Sequence, residues 1–236
     1  MKRIIGPLAL AALLSAPSLA QAEGMGLYVA PKMGFGYLDG FDLKYVEDEG
    51  YSEKINVGSD TVFGGGIAVG YDFKHMGVPV RAELEYAAFG DAKVKGKKRF
   101  KEWGVDVTGS ATIGIQTLFV NGYFDFHNSS AFTPYVGLGL GQSFIDMKAK
   151  GQADLGGYSL SGNWGRKSTT DFAWNLSGGV SYAITKQIGL DLGYRFAWLG
   201  KGETKKVYYG PGGGYDYFKT KDLQMHQVML GMRYTF

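Results

Sequence analysis

Residues 188–198 read Ile188-Gly189-Leu190-Asp191-Leu192-Gly193-Tyr194-Arg195-Phe196-Ala197-Trp198. Every second residue is large and apolar: Ile188, Leu190, Leu192, Tyr194, Phe196 and Trp198. Between them stand Gly189, Asp191, Gly193, Arg195 and Ala197. A repeat of two is the period of a β-strand, whose side chains alternate between faces. One face of this segment is therefore apolar and aromatic, the other small or charged.

The same alternation recurs along the chain. Val80, Ala82, Leu84, Tyr86 and Ala88 oppose Arg81, Glu83, Glu85, Ala87 and Phe89. Val136, Leu138 and Leu140 alternate with Gly137, Gly139 and Gly141, and Trp174, Leu176, Val180, Tyr182 and Ile184 oppose Asn175, Ser177, Gly179 and Ser181. Eight strands are predicted, at about 27–38, 61–73, 79–89, 110–126, 132–145, 171–184, 188–199 and 223–236. Glycine at 38 of 236 positions and 15% aromatics agree with many strands and turns.

A soluble sandwich would also alternate, with its apolar face inward. Three features point the apolar face outward instead. The connections alternate in length: Lys74 to Val78, His127 to Ala131 and Thr185 to Gln187 are short, whereas 39–60, 90–109, 146–170 and 200–222 are long. Tight turns at one end and long loops at the other form the layout of an outer-membrane barrel. Aromatics sort to both ends of the apolar face. Tyr71, Phe73, Phe124, Phe126, Tyr182, Tyr234 and Phe236 lie toward the short turns; Phe35, Tyr37, Trp174, Phe196 and Trp198 lie toward the long loops. Such rings collect at bilayer interfaces. The eighth segment carries Val228, Leu230, Met232, Tyr234 and Phe236 on one face, which resembles the terminal signal of outer-membrane barrels.

In hydrocarbon every backbone donor and acceptor needs an internal partner, so the sheet must close. The expected fold is all-β: an eight-stranded antiparallel transmembrane β-barrel, its eighth strand paired with its first. Four long loops are extracellular and three short turns periplasmic. Met1-Lys2-Arg3, the apolar run Ile4 to Leu14 and Ala20-Gln21-Ala22 have the layout of a cleaved secretory signal. The expected organisation is a signal peptide at 1–22 and one barrel domain at 23–236, in the outer membrane of a Gram-negative bacterium.

The inward face is polar in this register: Lys32, Asp72, Arg81, Glu83, Glu85, Asp125, Asp191, Arg195 and Arg233. Eight strands leave a lumen that side chains can fill. The expectation is a salt-bridged plug, with Asp72 facing Arg81 and Asp191 facing Arg233, since buried charges are costly unless paired. Inward glycines (Gly34, Gly36, Gly64, Gly66, Gly70, Gly137, Gly139, Gly141) are read as space for the long Arg and Glu side chains.

Composition excludes several classes. A net charge of +3 argues against a nucleic-acid partner, and no cysteine means no disulfides, thiolate catalysis or Cys-held metal. Gly34-Phe35-Gly36 and Gly64-Gly65-Gly66 precede no helix and are read as strand packing rather than phosphate loops. His127-Asn128-Ser129 has the His-x-Ser spacing of a lipid-A deacylase barrel, but falls in a predicted periplasmic turn. His75 and His226 stand apart from it and from each other. No catalytic, cofactor-binding or metal-binding residues are expected, and no enzyme activity. Partner recognition is assigned to the loops. Loop one is acidic (Asp39, Asp42, Glu47, Asp48, Glu49, Glu53, Asp60), and loop two is basic (Lys95-Gly96-Lys97-Lys98-Arg99-Phe100-Lys101). Loop four clusters Tyr208, Tyr209, Tyr215, Tyr217 and Phe218 around Pro211. Loops one and two either neutralise each other or, in the case of loop two, meet anionic lipopolysaccharide; the tyrosines of loop four suit protein contacts.

Several stretches resemble the opacity-type, outer-membrane protein A-like family of eight-stranded barrels. These are Tyr71-Asp72-Phe73-Lys74 with Val78 to Tyr86, Thr133 to Gly141, Leu190 to Phe196 and the closing Tyr234-Thr235-Phe236. The resemblance implies an integral outer-membrane surface antigen, in some members an adhesin for host surface proteins, inserted by the barrel-assembly machinery through its C-terminal strand. A small pore, a ligand-binding barrel and an outer-membrane lipid-modifying enzyme stand as alternatives.

Overall fold

The computed structural model describes residues 26–236 except 49–51, 101–104, 155–157 and 211–212. The expected signal at 1–22 and the loop residues Glu49, Lys101 and Pro211 lie outside the described residues. The strands are β1 (Leu27–Leu38), β2 (Phe41–Glu47), β3 (Ser52–Val57), β4 (Asp60–Asp72), β5 (Val80–Phe100), β6 (Val105–Asp125), β7 (Phe132–Asp154), β8 (Ser159–Ala183), β9 (Ile188–Glu203), β10 (Val207–Tyr208) and β11 (Tyr215–Thr235). Eight of them close a ring, β1-β4-β5-β6-β7-β8-β9-β11, with β11 returning antiparallel onto β1. Met33 faces Leu230 across that seam. The barrel is the one the alternation predicts.

The outward face is apolar. Leu138, Leu140, Leu192 and Leu230 are each about half exposed (52%, 53%, 53% and 49%), which a lipid-facing wall requires and a soluble core forbids. Phe124 packs on Phe126, Phe132 on Tyr182 and Tyr234 on Phe236 at the short-turn rim. Phe35 packs on Phe63, and Trp174 on Phe196, toward the other rim. At the first short turn, Asp72 Oδ1 accepts from the Lys74 amide at 2.9 Å, and Gly77 closes a 3₁₀ turn (Phe73–Met76) at φ 77°, which favours glycine.

The long connections differ from the expected loops. β5, β6, β7, β8 and β11 run 21 to 25 residues, about twice the 9–11 that cross a bilayer. The wall therefore continues past the apolar belt as a crown. Loop one is the hairpin β2–β3, which pairs with β11 through Phe218↔Tyr45.

Three irregularities set which way crown side chains point. A register shift between Phe89 and Ala92 adds an odd step to β5. Inward positions below it are odd-numbered (Arg81 to Phe89); above it they are Ala92 and Val94, and Lys93 and Lys95 turn outward. A shift in the β7–β8 ladder between Met147 and Ala149 brings Trp164 opposite the buried Ala149. Shifts around Leu223 on β11, where Asp222 adopts φ 56°, turn Asp216 and Phe218 inward. One extra residue reverses every side chain beyond it.

The interior has three tiers. Nearest the turns is an ionic plug. Arg81 forks onto Asp125 (2.7 and 2.9 Å), and Arg195 forks onto Glu85 (2.5 and 2.8 Å). Lys32 bridges Glu83 and Glu85, and Arg233 lies 3.8 Å from Asp191 as expected. The expected Asp72–Arg81 pair does not form. The two face each other in register, but Arg81 turns to Asp125 and Asp191, and Asp72 caps the turn. Without Asp72, four cations meet four anions. A middle tier holds Asn121, Asn175, Thr117 and Gln227. The top tier is apolar, which the reading of a wholly polar inner face did not foresee: Leu38, Leu43, Ile55, Ile113, Ile145, Leu199 and Met225 are fully or nearly fully buried. The hairpin supplies Phe41, Leu43, Ile55 and Val57 to it, so loop one is a stopper rather than a solvated loop.

The inward glycines serve different neighbours from those expected. A Cβ at Gly70 would sit 2.3 Å from the Tyr28 ring, and one at Gly139 2.0 Å from Asn121 Oδ1. These two make room for an aromatic and an amide side chain, Gly36 makes room for Met225, and Gly34 and Gly141 let a neighbouring backbone approach; none of the eight has Arg or Glu as its nearest neighbour.

Candidate functional site

With the lumen filled, the surface open to chemistry is the crown. The cavity inside the ionic plug is about 30 Å³, room for roughly one water. The cleft between the hairpin, the β7–β8 arm and β10–β11 is about 680 Å³.

The crown is built on charge pairing across elements. Lys98 of β5 reaches Glu53 of the hairpin, Asp42 pairs with Lys54 at 3.2 Å, and Lys167 with Glu203 at 2.6 Å. The expected neutralisation of loop one by loop two is thus made in part. Asp60 accepts from the amides of Thr61 and Lys93, tying β4 to β5. Outside the wall, Arg166 reaches Asp91 at 3.0 Å and Asp146 at 3.7 Å. Above that cluster Lys93 and Lys148 flank Thr112, and Lys95 and Lys150 flank Ser110, on successive rungs of β5, β6 and β7.

The cleft is organised around Asp216. This fully buried carboxylate accepts from the Tyr45 hydroxyl at 2.5 Å, from Trp164 Nε1 at 2.6 Å and from the Tyr209 hydroxyl. Burial, then the bond to Asp216, pushes the Tyr45 phenol far above its ordinary range. The bond to Asp216 also raises the Tyr209 phenol. Trp164 stands edge-on to Phe218 with centroids 4.6 Å apart, and Tyr45 lies 5.3 Å from Phe218. Trp164 occupies the space that a side chain at Gly162 would need.

Of the loop-four aromatics singled out from sequence, Tyr208 and Tyr209 are exposed, at 67% and 60%, while Phe218 is buried. Lys206 Nζ sits 3.6 Å over the Tyr215 ring, and its hydrogen bond to Tyr215 raises the ammonium pKa. His127-Asn128-Ser129 lies in the turn as expected, where Asn128 braces the chain through Ser130 and Phe132. His75 is exposed on the first turn beside Tyr71. His226 is less isolated than its sequence position suggests. Its ring bonds Asp39 at 3.1 Å and Tyr194 at 2.5 Å, forming a polar knot on the outer wall. Sequence reasoning missed Asp216, Trp164 and Tyr45; the aromatic character of Trp164 and Tyr45 was the signal present, and nothing in the sequence set Asp216 apart from other loop acids.

The model of the outer membrane protein beta-barrel domain family matches residues 7–236. The chain belongs to this family. Outer membrane protein PagN of Salmonella typhimurium is 31% identical over 218 residues, covering 89% of this chain and 90% of PagN. A provisionally named adhesin of Rickettsia conorii is 28% identical over 181 residues, covering 77% of this chain and 70% of the other. The crystal structure of OprG from Pseudomonas aeruginosa superposes with a TM-score of 0.55 at 16% identity, covering 89% of this chain and 97% of OprG, which supports the fold alone. The protein is therefore an integral outer-membrane β-barrel of a Gram-negative cell, and as a member of this family it presents its crown at the surface.

Proposed function

We propose that the chain acts as a surface adhesin whose crown engages a host surface protein, without catalysis. The observation that carries this reading is the combination of a sealed lumen and a structured crown. Charged, amide and apolar tiers fill the interior from turn to hairpin, leaving the outer end as the working surface. The exposed Tyr208 and Tyr209 project from it, and tyrosine is favoured in protein contacts. The adhesin name of the Rickettsia relative agrees. Cells displaying the chain should bind host cells, and Tyr208→Ser with Tyr209→Ser should reduce that binding several-fold at equal surface level; unchanged binding rejects the reading.

The outward lysines favour a second contact. Lys93, Lys95, Lys148 and Lys150 stand just above the apolar belt, where phosphates of lipopolysaccharide lie. Binding of lipopolysaccharide to the refolded chain should weaken when the four are changed to Gln. Strand β11, with Val228, Leu230, Met232 and Tyr234 on its lipid face, is the segment offered to the barrel-assembly machinery.

A further inference from the structure

We infer that the crown cleft is a binding site for a small organic amine, an apolar or aromatic body carrying one ammonium group. Asp216 has three donors, all neutral, and among the described residues no Lys, Arg or His comes within ion-pair distance of it. Among the described residues of the cleft wall the other acid, Glu53, is bound to Lys98, and none is Lys or Arg. A buried carboxylate without a counter-charge is costly, and a cation beside it recovers that cost.

The surroundings suit such a guest. Tyr45, Trp164 and Phe218 form a contiguous aromatic wall, and ring faces attract ammonium groups. Ile55, Val107, Leu160 and Val207 supply apolar surface for the rest of the molecule. A volume of about 680 Å³ falls within the range of small-molecule sites, roughly 300–1,000 Å³. An anion would meet Asp216 with like charge. A purely apolar guest would leave the carboxylate without a counter-charge. The cleft shares Tyr209 with the proposed adhesive surface, but the amine is measured on the purified chain without host cells, so either reading can fail while the other stands.

The test uses the full chain refolded into lipid nanodiscs, with empty nanodiscs subtracted for partitioning. Calorimetric titration compares phenethylammonium, phenethyl alcohol and 3-phenylpropionate. The ammonium should bind about tenfold or more tighter than the alcohol, a difference of about 1.4 kcal/mol, and the carboxylate should not bind. Asp216→Asn should bring the ammonium down to the level of the alcohol. Ala153→Trp, which fills the cleft from its wall, should abolish both and guards against an Asp216 variant that does not fold. Equal binding of the three probes, no binding of any, or selectivity that survives Asp216→Asn in a folded barrel would overturn the inference. So would binding of Nα-acetyl-lysine methylamide in the absence of phenethylammonium binding, which would assign the cleft to a partner's lysine.

Discussion

Glu85 joins two cations of the ionic plug. It takes both branches of Arg195 and one bond from Lys32, with no exposed surface. Glu85→Ala strips the buried Arg195 of its carboxylate, leaves Lys32 with Glu83 alone and should cost about 3–5 kcal/mol, read as a lower urea midpoint in vesicle unfolding. Glu85→Met with Arg195→Met should recover much of that loss, because the paired ions return little net energy over an apolar isostere. In the crown the sign runs with tyrosine. The folded state holds the Tyr45 and Tyr209 protons more tightly than the unfolded state does. Their stabilisation is complete below the unfolded phenol value of about 10 and is lost as pH climbs beyond it. Near-UV circular dichroism of the refolded chain should fade above about pH 10, and Tyr45→Phe should blunt that dependence. The charged residues of the plug were legible in the sequence because they occupy the alternate positions of a strict period of two. Their pairing was legible only in part: Asp191–Arg233 forms as expected, whereas Arg81 chooses among Asp72, Asp125 and Asp191 by side-chain reach across strands.

Strands β1 and β9 were readable almost end to end, because one face meets lipid and the other the lumen along their whole membrane span. The crown was not, and the bulges explain why. Lys93-Val94-Lys95 keeps the odd parity of Glu83 and Glu85 in the sequence. The shift between Phe89 and Ala92 nonetheless puts these lysines on the outer wall, and a bulge leaves no mark in a period-two pattern. The hairpin β2–β3 hid behind its acids, although Leu43, Ile55 and Val57 were there to be buried. The β11 irregularity gives a direct prediction. Phe218→Cys should resist aqueous maleimide, because Phe218 is buried. Deleting Asp222 should restore a single parity, turn position 218 outward and make the same cysteine reactive. Continued protection would show that the irregularity does not set the direction of the crown.

The molecule as a whole is a cylinder closed twice, by ions near the periplasm and by an apolar stopper at the outer end. Planar bilayers containing the refolded chain should therefore stay electrically silent, and a steady conductance would show an open lumen. Its two ends differ in chemistry: compact turns at one, long paired strands carrying exposed tyrosines and lysines at the other. That asymmetry places function on the outside. The absence of native cysteine makes the orientation directly measurable. Single cysteines at Lys95, Leu138 and Ser129 can be challenged on intact cells with a membrane-impermeant maleimide. Position 95 should label, position 138 should stay unlabelled yet be reached by a lipid-soluble quencher, and position 129 should label only after the outer membrane is permeabilised. Labelling of position 138 from water, or of position 129 on intact cells, would contradict a barrel with its apolar belt in lipid and its crown outside.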